Sequence, residues 1–311
     1  MVWSVFIDKI ENSYYLKPFR EMPRTNTLDL FRVNSNPFHW LVGILGNFTG
    51  LPYSWMALFL TNLLFLLYLQ ELYGILCRMT TQEVAVSATT LAAFWPSTIA
   101  FHFGSQYMAI VFLVTWCIRA ALDNQWLITG VTLAMAMLID PLCILLLPLF
   151  GYFFWYFQRH FQMNMVVKKA SLFLGPVLFV FIWKLSLYTH FREILNGSAF
   201  SKIMLSDSKE SFWAWASAAG IFWQTMTGIL LTFGGIAAAV SNSVAIHRVL
   251  PVYMLIFFLL FSSYGGLIQR APLAAVCFQG VTTFTIPILT KVLKAFLIFM
   301  GCQQIISYFT I

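Results

Sequence analysis

Apolar residues in this chain come in long blocks separated by short polar stretches. The blocks run over about 51–76, 85–103, 106–120, 126–139, 142–157, 170–189, 214–240, 249–267, 271–289 and 292–311. A helix needs about 17–25 apolar residues to cross a bilayer, so the blocks predict roughly nine or ten transmembrane or re-entrant helices. Segment 37–50, PFHWLVGILGNFTG, is too short to span and is expected to lie in the interface or to pack on the bundle. Met1–Asn36 is mixed and polar and has no apolar core of signal-peptide length. The division expected is a non-cytoplasmic interfacial segment over 1–50 and a transmembrane bundle over 51–311, interrupted by a polar loop at 190–212.

One block does not fit a single helix. From Leu127 to Phe157 the only charged residue is Asp140, and Pro141 follows it. As one helix this run would be about 46 Å long against a hydrocarbon core of about 30 Å. An Asp at the centre of such a helix costs roughly 2.5–3.5 kcal/mol. Proline cannot donate its amide, and it disfavours helical backbone at the residue before it. Arg119 flanks the run on one side, and Arg159, His160, Lys168 and Lys169 on the other. Loops rich in Lys and Arg stay cytoplasmic, so both flanks belong on one face. Two short helices meeting at Asp140–Pro141 satisfy this; one long tilted helix does not. The same rule puts Arg78, His247–Arg248 and Lys291–Lys294 on the cytoplasmic side. The N-terminal segment, His102–Gln106, Asp140 and loop 190–212 then converge on the opposite face.

Composition agrees with the blocks. Sixty per cent of the 311 residues are hydrophobic and nine per cent are charged, more apolar surface than a soluble core can absorb. The net charge of +7 comes from basic residues in short loops, where they set topology, so no nucleic-acid partner is expected. The five cysteines have no CxxC spacing and indicate neither a disulfide framework nor a zinc site. There is no P-loop, GxGxxG, GxSxG or HExxH, and no metal or cofactor is expected.

A few polar side chains could carry chemistry. The non-cytoplasmic acids are Asp8, Glu11, Glu21, Asp29, Asp140, Asp207 and Glu210. A carboxylate facing a membrane-embedded cavity can act as a general base or bind a metal. For the first four, interleaved Lys9, Lys17, Arg20 and Arg24 favour an ordinary solvated face. For Asp140 the plain alternative is a helix cap at the break. His102, at a predicted helix end, suits an interfacial histidine as well as a ligand. Lys184 can snorkel from its apolar run. Loop 190–212 carries His190, Arg192, Lys202 and Lys209 and ends in Phe212-Trp213-Ala214-Trp215. Cations beside an aromatic belt suit an anionic lipid phosphate, and better still an ordinary interfacial anchor.

From about residue 37 onward the order of short motifs resembles the PIG-V family, the GPI mannosyltransferase 2 enzymes and their prokaryotic relatives. The matching stretches are Asn36-Pro37-Phe38-His39-Trp40, Leu60-Thr61-Asn62-Leu63, Phe94-Trp95-Pro96-Ser97, Ser105-Gln106-Tyr107-Met108, Asn124-Gln125-Trp126 and Ile139-Asp140-Pro141-Leu142. Ser211-Phe212-Trp213-Ala214-Trp215 and Arg248-Val249-Leu250-Pro251 follow in the same order. The resemblance covers about four-fifths of the chain, and shared order carries it more than any one motif. Three polar positions depart from the family. Its Trp-Asp motif finds only Trp3-Ser4 with Asp8 nearby, its acid in the Tyr-Ser-Glu segment falls on Met108, and its Arg at the break falls on Asp140.

The resemblance implies an all-α polytopic membrane protein with a GT-C-like helical bundle. It implies a glycosyltransferase that moves a sugar, with mannose expected, from a polyprenyl-phosphate donor to a lipid-linked acceptor. A carboxylate would deprotonate the acceptor hydroxyl while cations hold the donor phosphate. On this reading Asp8 and Asp140 are the candidate bases, and His102, Arg192, Lys202 and Arg248 the candidate substrate contacts. Arg248 sits awkwardly, since the charge rule puts it on the cytoplasmic side. The altered polar positions support a rival, a non-catalytic scaffold or subunit with a membrane-protein partner. A transporter would need paired broken helices, and only one convincing break is present.

Overall fold

The computed structural model describes residues 37–95, 106–159, 163–187, 217–262, 267–284 and 295. Every regular element among them is helical. Helix α1 covers Pro37–Thr49, α2 Tyr53–Met79, α3 Gln82–Ala93, α4 Tyr107–Leu122 and α5 Trp126–Ile139. A 3-10 turn over Pro141–Leu146 leads into α6, Leu147–Gln158, and α7 covers Met163–Leu187. Then come α8 (Ser217–Ser241), α9 (Ala245–Ser262), a second 3-10 segment (Leu267–Cys277) and α10 (Phe278–Phe284).

Three helical stretches are long and apolar enough to cross a membrane: Tyr53–Met79, Pro141–Gln158 and Met163–Ile182. Several others are apolar but shorter than a full span. Of the block over 85–103, α3 holds the residues up to Ala93, and 96–103 lie outside the described residues; the block over 126–139 coincides with α5, fourteen residues, at both ends. The expected nine or ten membrane passes therefore reduce, among the described residues, to three full-length spans and a set of shorter apolar helices. Segment 37–50 is a helix of thirteen residues, about 20 Å long and too short to span.

The sequence explains where these helices start and stop. Gly50, in the left-handed region at φ 71°, and Pro52 separate α1 from α2. Helix α2 ends at extended Thr80, whose amide and hydroxyl both return to the Leu76 carbonyl. Asn124, with φ 61°, turns the chain between α4 and α5; Asn tolerates that conformation better than other residues with a Cβ. Threonine hydroxyls inside the helices are turned back on the preceding turn: Thr61 donates to Ala57, Thr115 to Val111 and Thr132 to Ile128. Polar groups kept within the helix in this way need no water, as a lipid setting demands.

One large core joins α2 to α10, and the α5–α6–α7 part of it is aromatic. The Trp126 ring meets Phe154 at 4.8 Å and Phe173 at 5.9 Å, both edge-on, and Phe150 meets Phe173 at 6.4 Å. Such pairs add about 0.5–1.5 kcal/mol each beyond the area they bury. A second, smaller cluster holds α1 to the bundle through Phe38, Val42, Tyr53, Met56, Ala57, Leu60 and Ala109, with Ile139 against it.

Candidate functional site

The break at Asp140 is built from local chemistry. The Asp140 amide closes the last turn of α5 on the Ala136 carbonyl at 2.8 Å. Its backbone then swings to φ −133°, ψ 111°, the extended conformation expected before a proline. Three donors open the next helix in an ordinary chain, and here each is settled. Pro141 has none, Leu142 donates to the Asp140 carboxylate at 2.9 Å, and Cys143 donates to the Asp140 carbonyl at 3.1 Å. The half-buried carboxylate thus caps the 3-10 turn, the plain alternative to catalysis. In a medium without water each unmet backbone group costs several kcal/mol, so a break here needs such a residue.

The chain beyond the break returns to where α5 began. At the C-terminal end of α6, Gln158 is buried, and its Nε2 donates to Asn124 Oδ1 at 2.7 Å. Trp126 Nε1 donates to the same oxygen. Lys169 of α7 donates to Gln158 Oε1 at 3.1 Å. The run from Leu127 to Phe157 is therefore a hairpin whose two flanks share one end of the bundle.

More charge gathers at that end. Asp123 takes Arg78, from the last turn of α2, on one carboxylate oxygen and Arg119 on the other at 3.2 Å. Gly74 makes room for this: a Cβ there would land on the Arg119 guanidinium. Arg159 lies over the Tyr156 ring at 4.8 Å. The basic residues that the charge rule assigns to one face, Arg78, Arg119, Arg159 and Lys169, do come together. Sequence reasoning missed what binds them, namely Asp123, Asn124 and Gln158.

The opposite end gathers α1, the start of α2 and the start of α4 beside the break. Ile139, next to Asp140, packs with α1, the start of α2 and Ala109 near the start of α4. His39 of α1 lies half-buried beside Phe38 at this end, and burial pulls its imidazole pKa below the ordinary range. Asp140, α1 and the first turn of α4 thus converge; of the rest of the group expected there, residues 1–36, 102–105 and 190–212 lie outside the described residues.

Arg248, the other candidate within the described residues, is exposed, and its Nε donates to the Asn242 carbonyl. Asn242 in turn donates from its side chain to the Ala238 carbonyl at 2.6 Å. Both side chains serve the C-terminal end of α8, where helix carbonyls lack partners. Asp8, His102, Arg192 and Lys202, and loop 190–212, lie outside the described residues. Among the described residues no three His, Cys, Asp or Glu side chains come together as a metal site.

No protein-family model matches this chain, nor does any curated protein or solved structure.

Proposed function

We propose that this chain is a polytopic membrane protein with a GT-C-like helical bundle that takes part in transferring a sugar from a polyprenyl-phosphate donor to a lipid-linked acceptor. The observation that carries the reading is the broken hairpin at Asp140–Pro141 with α1 and the start of α4 packed at its tip. The PIG-V resemblance rests on a motif order that includes this break and the segments Asn36–Trp40 and Ser105–Met108. Those segments border or form the elements gathered at the tip. On this reading the acceptor hydroxyl loses its proton to a carboxylate at that end of the bundle. Asp8 is the better candidate, because the Asp140 carboxylate already holds the Leu142 amide. Arg192, Lys202 and Arg248 remain the proposed contacts to the donor phosphate, and His102 a proposed substrate contact. Arg248 is the weakest of them, since it is engaged at the end of α8.

One observation favours a second reading, a non-catalytic subunit that binds another membrane protein. Both candidate side chains within the described residues, Asp140 and Arg248, hold backbone groups. The test is mannosyl transfer from polyprenyl-phosphate mannose by the purified wild-type protein, Asp8→Asn and Asp140→Asn. Loss of at least about a hundredfold in Asp8→Asn, with Asp140→Asn close to wild type, is expected for a general base at Asp8. Full activity in Asp8→Asn would remove it from the mechanism. An inactive wild type, with its lipid substrates supplied, would favour the subunit.

A further inference from the structure

We propose that the outer face of α2 around Gln70 and Glu71 docks a transmembrane helix of a partner membrane protein, one that carries a Lys or Arg at the same depth. The inference rests on the reading of the chain as membrane-embedded, and it stands whether or not the chain transfers a sugar.

Helix α2 is one of the three full-length spans and carries two charged residues, Glu71 and Arg78. Most of its polar side chains find partners. Thr61 and Asn62 donate to carbonyls of their own helix, at Ala57 and Leu58. Tyr68 donates to the Pro272 carbonyl at 3.2 Å, and Arg78 pairs with Asp123. Gln70 and Glu71 are different: neither makes a hydrogen bond or ion pair with a described residue. Gln70 is exposed and Glu71 half-buried. The Arg119 guanidinium lies against Gly74, one turn beyond Glu71, but its ion pair is with Asp123.

Depth makes these two side chains costly. At one end of α2, Met56, Ala57 and Leu60 cluster with Ile139 at the tip of the hairpin. At the other, Arg78 meets Asp123 at its base. From Ala57 to Arg78 the helix rises about 32 Å, close to the hydrocarbon thickness of about 30 Å. Glu71 lies about 10 Å in from Arg78 on the same measure. Side chains lean towards the N-terminus of their helix, so Gln70 and Glu71 lean away from the nearer surface and do not snorkel to it. An ionisable side chain at such a depth pairs with another charge or faces water, and a carboxamide bonds across to a neighbouring helix.

The face itself can take a helix. Phe59, Leu63 and Leu66, exposed at 63%, 41% and 64%, run up to Gln70 at spacings of four, three and four residues, one stripe of the helix surface. Charge complementarity selects the occupant. A second copy of this chain on a twofold axis would set the face against itself and bring Glu71 towards Glu71. A partner helix with a Lys or Arg level with Glu71 supplies the opposite charge and a donor for the Gln70 carbonyl.

The experiment places purified full-length protein in phosphatidylcholine vesicles with dansyl-labelled transmembrane peptides, and reads energy transfer from the protein's tryptophans. The peptides are a polyleucine helix, the same helix with one Lys about 10 Å from one end, and the same with one Glu there. Wild type is expected to bind the Lys helix about tenfold more tightly than the Leu helix, and the Glu helix no better than the Leu helix. Glu71→Gln is expected to lose that tenfold preference and to keep the wild-type unfolding midpoint, because the carboxylate has no partner within the chain. Glu71→Asp is expected to retain most of it. Equal binding of the Lys and Leu helices by wild type overturns the proposal, as does a preference that survives Glu71→Gln. A lowered midpoint in Glu71→Gln overturns it by giving the carboxylate a partner inside the chain. Self-association of wild type that Glu71→Gln abolishes, read by energy transfer between labelled copies, overturns it in favour of a second copy. Each of these leaves the membrane reading standing. Failure of wild type to enter the vesicles overturns that reading, and this site with it.

Discussion

Asp140 has two possible jobs, and single substitutions separate them. As a cap it needs an acceptor oxygen for the Leu142 amide, and asparagine supplies one. Asp140→Asn is therefore expected to unfold within about 0.5 kcal/mol of wild type, and Asp140→Ala to lose about 1–2 kcal/mol. Denaturation in detergent measures both. Equal stability in all three proteins would show that the cap contributes little, and would return the carboxylate to consideration as a reactive group. The role was legible before the fold was known, because an Asp before a proline at a helix break needs only its own neighbours. Arg248 was not legible in the same way. Its partner Asn242 directly follows α8, and only the folded turn into α9 brings that carbonyl to the guanidinium.

At the scale of elements, the hairpin is closed by a short polar chain from Asn124 through Gln158 to Lys169. Gln158 is the middle link and the buried one. Gln158→Leu keeps the volume and removes the donor to Asn124 and the acceptor for Lys169. It is expected to cost about 1–3 kcal/mol, the usual consequence of stranding buried polar partners. A loss below about 0.5 kcal/mol would mean that the aromatic contacts of Trp126, Phe150 and Phe173 close the hairpin without it. Length, proline and flanking charge were enough to anticipate that this run doubles back. They could not anticipate which side chains would meet, because Asn124 and Gln158 are far apart in sequence and neither is charged. The end of α3 at Ala93, inside a block that runs on past it, was harder still. An apolar block marks what avoids water, and it does not mark where helical backbone stops within it.

For the whole molecule the structure makes a statement about sides. Asn124 and Arg159 share one end of the bundle through the Gln158 link. Asn47 is exposed on α1, which packs against Ile139 at the other end. Single introduced cysteines at these positions, in a background with exposed Cys77 and also Cys302 replaced by serine, test it with a membrane-impermeant thiol reagent. Asn124→Cys and Arg159→Cys are expected to react from the same side of a sealed vesicle, and Asn47→Cys from the other. Opposite labelling of the first two would dismantle the hairpin. The block pattern was sufficient to expect a helical membrane protein, whereas the pairing of helices depends on close approaches that no single segment encodes. Gly130, for example, lies where a Cβ would strike the Phe173 backbone, bringing α5 and α7 together.

The short arm of the hairpin has a consequence for the lipid around it. Helix α5 has fourteen residues and is about 21 Å long, so it falls about 9 Å short of the hydrocarbon thickness. Hydrophobic mismatch of this kind is met by thinning the bilayer or by tilting the neighbouring helices. Thinning on the Asp140 side draws headgroups and water down towards the carboxylate. With α5 set across a bilayer, as the proposed function has it, the bilayer would dimple over the tip of the hairpin, and a lipid-borne molecule diffusing in that leaflet would meet the protein at the floor of a shallow depression.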